Sequence, residues 1–246
     1  MTTIAGSAAQ GIKDGPALDA QFLIPSGLAR TANGTLYISD PAAQRIRQML
    51  PDGTVRTVAG SGALGPLGLS VTGGYRDGPA LEASFNQPAG MAIAPDGALY
   101  IADSFNACIR KLQNGVVSTV VGKPGDNKAV DGDAVTARLH LPLSLSFDKS
   151  GTLWIADYGV GMRYLEHGEL KTITTKSYGD VYVTSISAEP EADGPVIAIT
   201  RQLVYVYDRT TKTDSYFGTL NDAEDGRFGR PDQVLAIGDR QAICTD

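Results

Sequence analysis

The chain is poor in the residues from which most active sites and metal centres are assembled. Its 246 residues include only two histidines, two cysteines and one tryptophan. Two histidines, His140 and His167, are too few for a three-histidine catalytic zinc site. Two cysteines, Cys108 and Cys244, cannot make the disulfide framework of a small secreted domain. No stretch has the length and hydrophobicity of a membrane-spanning helix. Basic charge is short as well: 21 Lys and Arg stand against 27 Asp and Glu, a net charge of −6. Affinity for DNA or RNA comes largely from neutralising phosphates, so this balance points away from a nucleic-acid partner. The opening residues, Met1 to Gly6, lack the basic start and apolar stretch of a signal peptide. The expected location is the cytoplasm, or outside the cell with a leader already removed.

What the chain has in quantity is punctuation. Its 29 glycines and 13 prolines predict many turns rather than many helices. With 42% hydrophobic residues it can bury a substantial core, and all-β folds of this length are often single domains.

An internal repeat organises these residues. The segment Asp14-Gly15-Pro16-Ala17-Leu18-Asp19-Ala20-Gln21-Phe22 recurs as Asp77-Gly78-Pro79-Ala80-Leu81-Glu82-Ala83-Ser84-Phe85. A third copy runs Asp131-Gly132-Asp133-Ala134-Val135-Thr136-Ala137-Arg138-Leu139, and a remnant survives at Asp225-Gly226-Arg227-Phe228. After each full copy, Pro25 to Asp40 aligns with Pro88 to Asp103 and Pro142 to Asp157. Each of these stretches predicts two strands about a glycine turn, at Asn33-Gly34, Asp96-Gly97 and Ser150-Gly151. The second strands, 36–40, 99–103 and 153–157, are nearly continuous apolar runs, as expected for strands covered on both faces. A third strand follows around Ile46-Arg47, Ile109-Arg110 and Met162-Arg163. A fourth is predicted at 55–60 and again at 117–122.

This pattern of D-G-x-x-x-x-A-x-F, P-x-G-[LM]-A, G-x-L-Y-I-[AS]-D, I-R and T-V-[AV]-G resembles the NHL repeat family of β-propellers. The resemblance implies an all-β propeller of four-stranded antiparallel blades in a single domain over 1–246. Blades are expected at about 20–60, 85–122, 140–174, 183–218 and 231–246, with an N-terminal strand at 2–6. The last blade lacks its third strand. The ring then closes imperfectly, or the chain is part of a longer, six-bladed protein. An open last blade exposes a strand edge, so self-association is also expected.

Strand parity sorts the loops of such a blade onto two faces. Blade-to-blade connections and second-to-third connections share one face and are long; the remaining turns are two or three residues. Binding favours long loops on a rigid scaffold, which puts any site on the first face. Tyr75, Arg76, Asn86, Phe105, Asn106, His140, Tyr158 and Arg201 are the single-copy residues expected there, suited to a polar small ligand, a glycan or a peptide. The loop 61–74 is either flexible surface or a cover supplied by Leu64, Leu67, Leu69 and Val71.

The repeated polar residues have structural explanations. Asp14 is expected to cap a short helix begun by Pro16, with Leu18 and Phe22 packing as an i, i+4 pair. Leu81/Phe85 and Val135/Leu139 repeat that pair. Asp40, Asp103 and Asp157 recur with Arg47, Arg110 and Arg163, and a pair present in three blades is read as joining strand ends or neighbouring blades. Trp154 is read as blade core, Cys244 as a small buried hydrophobe and Cys108 as partly exposed. His167 falls in a solvated turn.

The leading expectation is a non-catalytic binding or scaffold domain with a protein, peptide or glycan ligand and no cofactor. The alternative is a lactonase-like hydrolase using a divalent metal, calcium among them, held by Glu, Asn and Asp at the propeller mouth. RNA binding, known for some NHL domains, would need a local patch from Arg30, Arg45, Arg47 and Lys111 against the net charge.

Overall fold

A computed structural model describes residues 2–173, 182–188, 194–200, 203–219, 233–238 and 241–245. Its regular structure is almost entirely antiparallel strand. The first sheet comprises β1 (Gly15–Pro16), β2 (Leu28–Arg30), β3 (Leu36–Asp40), β4 (Arg45–Met49) and β5 (Thr54–Ala59). The second comprises β6 (Gly78–Pro79), β7 (Pro88–Ile93), β8 (Leu99–Asp103), β9 (Cys108–Gln113) and β10 (Val116–Gly122). The third holds β11 (Gly132–Asp133), β12 (Pro142–Phe147), β13 (Leu153–Asp157), β14 (Gly161–Glu166) and β15 (Glu169–Thr172). A fourth sheet of β16 (Val183–Ala188), β17 (Val196–Thr200), β18 (Leu203–Asp208) and β19 (Thr213–Thr219) follows. A hairpin of β20 (Gln233–Gly238) and β21 (Gln241–Thr245) completes the described strands. By contact pattern the chain divides into two compact units, Met1–Val120 and Val121–Asp246.

Each sheet is a meander, with β2-β3-β4-β5 and its counterparts adjacent in order. The glycine turns work as expected: Gly34, Gly97 and Gly151 take φ values of +89°, +81° and +88°, a region that strains any side-chain-bearing residue.

Four sequence expectations are corrected. The first three sheets have five strands, not four, because the Asp-Gly segment itself adds an outer strand; Gly15 pairs with Val55 and Gly132 with Leu170. It forms no capped helix, only one turn in which Ala20 N donates to the Pro16 carbonyl. The predicted i, i+4 pairs therefore do not form. Phe85 and Leu139 are fully buried, whereas Leu81 and Val135 point into solvent. Residues 2–6 form no strand. Gly6 N donates instead to the Ala17 carbonyl at 2.8 Å, as Gly60 N does to Ala80 at 2.9 Å, so the contact of the fourth-strand glycine survives without the strand. Finally, Cys108 is completely buried rather than partly exposed, and burial pushes its thiol pKa upward. Cys244 and the Asp225 remnant lie outside the described side chains.

The core of the first unit lies between its two sheets. Ala29, Ile46 and Ala59 meet Phe85, Met91, Leu99 and Ile101. Fully burying one such large side chain contributes about 1.5–3 kcal/mol. The approach is close: a Cβ on Gly27 would lie 2.3 Å from the Ala89 carbonyl oxygen. In the second unit Trp154, Ala156 and Met162 pack with Val183, Ile186 and Tyr205. There Ser144 and Ser146 hydroxyl oxygens accept hydrogen bonds from Ile186 N and Ala188 N, at 3.3 and 2.9 Å.

Candidate functional site

An arginine clasp is the feature that builds the loop-bearing end of each of the first three sheets. In the second sheet Arg110, completely buried, donates from Nη1 to Asp103 Oδ2 and from Nη2 to Asp77 Oδ1, both at 2.6 Å. It also holds the Ser84 and Arg76 carbonyls, at 3.1 and 2.9 Å, and lies over the Tyr75 and Phe85 rings. Asp77 in turn accepts from Thr119 N at 3.0 Å, which fastens the Asp-Gly segment to β10. Asp103 accepts from Asn86 N at 2.7 Å and from Asn106 Nδ2 at 2.9 Å.

The third sheet repeats this plan in full, and the first keeps it without a bond from Arg47 to Asp40. Arg47 pairs with Asp14 at 2.7 Å, and Asp40 holds Leu23 N and Ile24 N, each at 2.9 Å. Arg163 pairs with Asp131 at 2.6 Å and Asp157 at 3.0 Å, and Asp157 holds Leu141 N at 2.7 Å. The Asp of each Asp-Gly segment is thus an arginine partner, not a helix cap. Its recurrence was legible in the sequence, but its partner was not, because the arginine arrives from 32 or 33 residues away.

Burial sets the electrostatics of these groups. It raises the pKa of Asp103, against the pull of Asn106, the Asn86 amide and Arg110. It raises Asp157 too, against the Leu141 amide, Arg163 and the His140 amide. At Asp131 burial acts in the same direction but is outweighed by hydrogen bonds from Arg163 and Thr172, so its pKa falls below the ordinary 3.8.

The residues singled out in the sequence fall into two groups. In the first unit, Tyr75, Arg76, Asn86, Phe105 and Asn106 gather about the Arg110 clasp. Tyr75 stacks on the guanidinium, and its hydroxyl meets Thr119 Oγ1 at 2.7 Å; burial raises its pKa. Arg76 Nε donates to the Glu82 carbonyl at 2.7 Å. Asn106, nearly buried, spends its amide on Asp103 and the Gly74 carbonyl. Phe105, in a short 3₁₀ turn over Ser104–Asn106, is 65% exposed, with its N–H held by the Asn86 carbonyl. In the second unit, His140 N donates to Asp157, and His140 Nδ1 lies 2.9 Å from the Asn127 carbonyl. The Tyr158 ring lies 5.2 Å from that of Tyr182. Arg201 lies outside the described residues.

The loop 61–74 is docked at one point and presented at another. Val71 is buried, its N–H on the Ala42 carbonyl at 2.8 Å and its own carbonyl on Gln44 Nε2 at 3.3 Å. Leu64 packs with Leu23, Ala42 and Ala43. Leu67, at the tip, is 83% exposed, and Leu69 is exposed beside it.

A family model described as the NHL repeat matches residues 85–112, the stretch from Phe85 through the Arg110 clasp. Residues 85–112 thus carry an NHL repeat. Among curated proteins, SUPPRESSOR OF QUENCHING 1, chloroplastic, from Arabidopsis thaliana is 32% identical over 165 residues, covering 63% of this chain and 16% of that protein. NHL repeat-containing protein 2 from Bos taurus is 31% identical over 148 residues, covering 52% of this chain and 20% of that protein. The NHL chain therefore spans a fifth or less of the length of these relatives. Among solved structures, catalytically inactive virginiamycin B lyase from Staphylococcus aureus with quinupristin superposes with a TM-score of 0.59 at 11% identity. That match covers 90% of this chain and 63% of the lyase. A gluconolactonase from Xanthomonas campestris matches with a TM-score of 0.59 at 15% identity, covering 88% and 67%. These are β-propellers, and the NHL chain has their fold, its sheets being the blades. No helix among the described residues is long and apolar enough to cross a membrane.

Proposed function

We propose that this NHL propeller is a binding or scaffold domain that recognises a protein, peptide or glycan through the loop-bearing end of its blades. One observation carries the reading: large apolar side chains stand exposed there on backbone that is firmly held. Phe105 projects from a turn fixed to Asn86 and Asp103, and Leu67 from a loop fixed through Val71 and Gly74. Fixed apolar projections lose little entropy on binding, which is what interface anchors require. Asn106 supports the loop, its Nδ2 being already bound to Asp103 and the Gly74 carbonyl.

The test is affinity selection against peptide and glycan arrays, followed by titration of the hits against Phe105→Ala and a Leu67→Ser/Leu69→Ser double variant. At least tenfold weaker binding with an unchanged Tm is expected. Unchanged affinity in both variants would move the site elsewhere.

A second reading has the gluconolactonase fold likeness in its favour: a hydrolase of lactones using a divalent cation such as calcium. Against it, the repeated carboxylates at this end of the first three blades are engaged by arginines or backbone amides. Turnover in a lactone panel that disappears with EDTA and returns with calcium would establish the hydrolase and displace the first reading.

A further inference from the structure

The first and second blades leave a cavity of about 650 Å³ between them, away from the arginine clasp. It opens where the second blade makes its short turns, Asp96-Gly97 and Asn114-Gly115. Volumes of roughly 300–1,000 Å³ are typical of small-ligand sites. One wall is a row across three neighbouring strands, since Tyr37 pairs with Gln48 and Gln48 with Arg56. The opposite wall is Leu99 and Leu112, themselves paired.

The repeat shows that this space is not an automatic consequence of the fold. At the register positions of Tyr37 and Gln48, the third blade has Trp154 paired with Tyr164, and the fourth blade places Tyr207 where the second has Leu112. Those rings close on one another, Trp154 lying 5.3 Å from Tyr164 and 6.0 Å from Tyr207. Arg209 caps them, over the Trp154 ring and ion-paired with Asp148. What is aromatic filling there is an open, amide-lined cavity in the first unit.

Its lining has unspent polar groups. Gln48 is nearly buried, with Oε1 accepting from Arg56 Nε at 2.8 Å. Among the described residues, the Tyr37 hydroxyl, the terminal guanidinium nitrogens of Arg56 and the side-chain amide of Asn114 make no hydrogen bond. Gln113 donates to Asp96, and its carbonyl oxygen remains available. The lining thus combines an aromatic ring, three planar amides, a guanidinium and a carboxylate over an aliphatic wall. With Arg56 set against Asp96, it carries no strong excess of either charge.

We infer that this cavity binds a sugar ring. Adjacent hydroxyls of a pyranose both donate and accept, matching amides that do the same. Its apolar C–H face suits Tyr37, and its size leaves room for one or two rings. This site is separate from the loop-end surface and does not depend on it.

The experiment is saturation-transfer NMR, with titration calorimetry, using the methyl glycosides of glucose, galactose, N-acetylglucosamine and glucuronic acid. At least one is expected to bind. Gln48→Tyr, which borrows the third blade's residue to fill the cavity, should abolish binding. Tyr37→Phe and Gln113→Ala should each weaken it at least threefold, and these milder variants keep the test alive if Gln48→Tyr does not fold. Phe105→Ala should leave it unchanged. No glycoside binding, or binding that survives a folded Gln48→Tyr variant, overturns the inference. Binding lost in Phe105→Ala but kept in Tyr37→Phe and Gln113→Ala also overturns it, while favouring the loop-end surface as the glycan site.

Discussion

Arg110 shows how much of a blade can hang on one side chain. It ties β8, the Asp-Gly segment and two backbone carbonyls together, with no exposed surface of its own. Removing one partner of a buried pair leaves the other charge uncompensated and typically costs about 3–5 kcal/mol. Arg110→Met should lower stability by about that amount in urea unfolding. Arg110→Lys should recover little, because an ammonium cannot present the forked set of donors. Asp131 gives a prediction of opposite visibility, in pH. Its folded pKa lies below the ordinary 3.8, so its contribution is fully present above that value and is lost as pH falls through the folded one. The Tm advantage of the natural chain over Asp131→Asn should therefore be constant near neutrality and shrink below about pH 4. A gap that stays constant down to pH 3 would contradict the ion pair with Arg163.

At the scale of the element, apolar alternation and glycine spacing place the strands well, and the three second strands fall on 36–40, 99–103 and 153–157 as read. The fifth strand was not legible. A Gly-Pro or Gly-Asp dipeptide has no strand signature, and only the free edge of β5 or its counterparts makes it one. The failed helix cap has the same cause: Asp14 has a cap's composition, but Arg47 and Thr57 are stronger partners, brought from 33 and 43 residues away. Strand packing makes its own demand at Gly27. A methyl there would meet the backbone of β7, so Gly27→Ala should cost about 1–3 kcal/mol by overpacking, measured as a shift in urea midpoint.

Across the whole molecule, equal positions in the repeat do not have equal surroundings. Leu28 and Met91 correspond, yet Met91 is buried against the first blade while Leu28 is 59% exposed. Met91→Gln should cost about 2–3 kcal/mol. Leu28→Gln should change stability by less than about 0.5 kcal/mol. Equal losses in calorimetry would mean that the outer face of the first blade is covered in solution. The candidate site follows the same logic. Loop parity put Tyr75, Arg76, Asn86, Phe105 and Asn106 on one face, but could not tell that the Arg110 clasp gathers them, that Asn106 Nδ2 is bound to Asp103 and Gly74, or that Phe105 stands exposed. Nor did it reveal the cavity behind Gln48, because an amide at a strand position reads as ordinary solvated surface.

The sequence by itself determined the repeat, the strands and turns within it, and the NHL propeller they build. These rest on local rules: the period of apolar residues, and glycine where φ is positive. Tertiary structure alone decided which repeated carboxylate meets which arginine, which copy of a repeat position is buried, and which gap between blades stays open. Those depend on side chains from different strands arriving at one place, and no spacing along the chain records which of them fills the space and which leaves it.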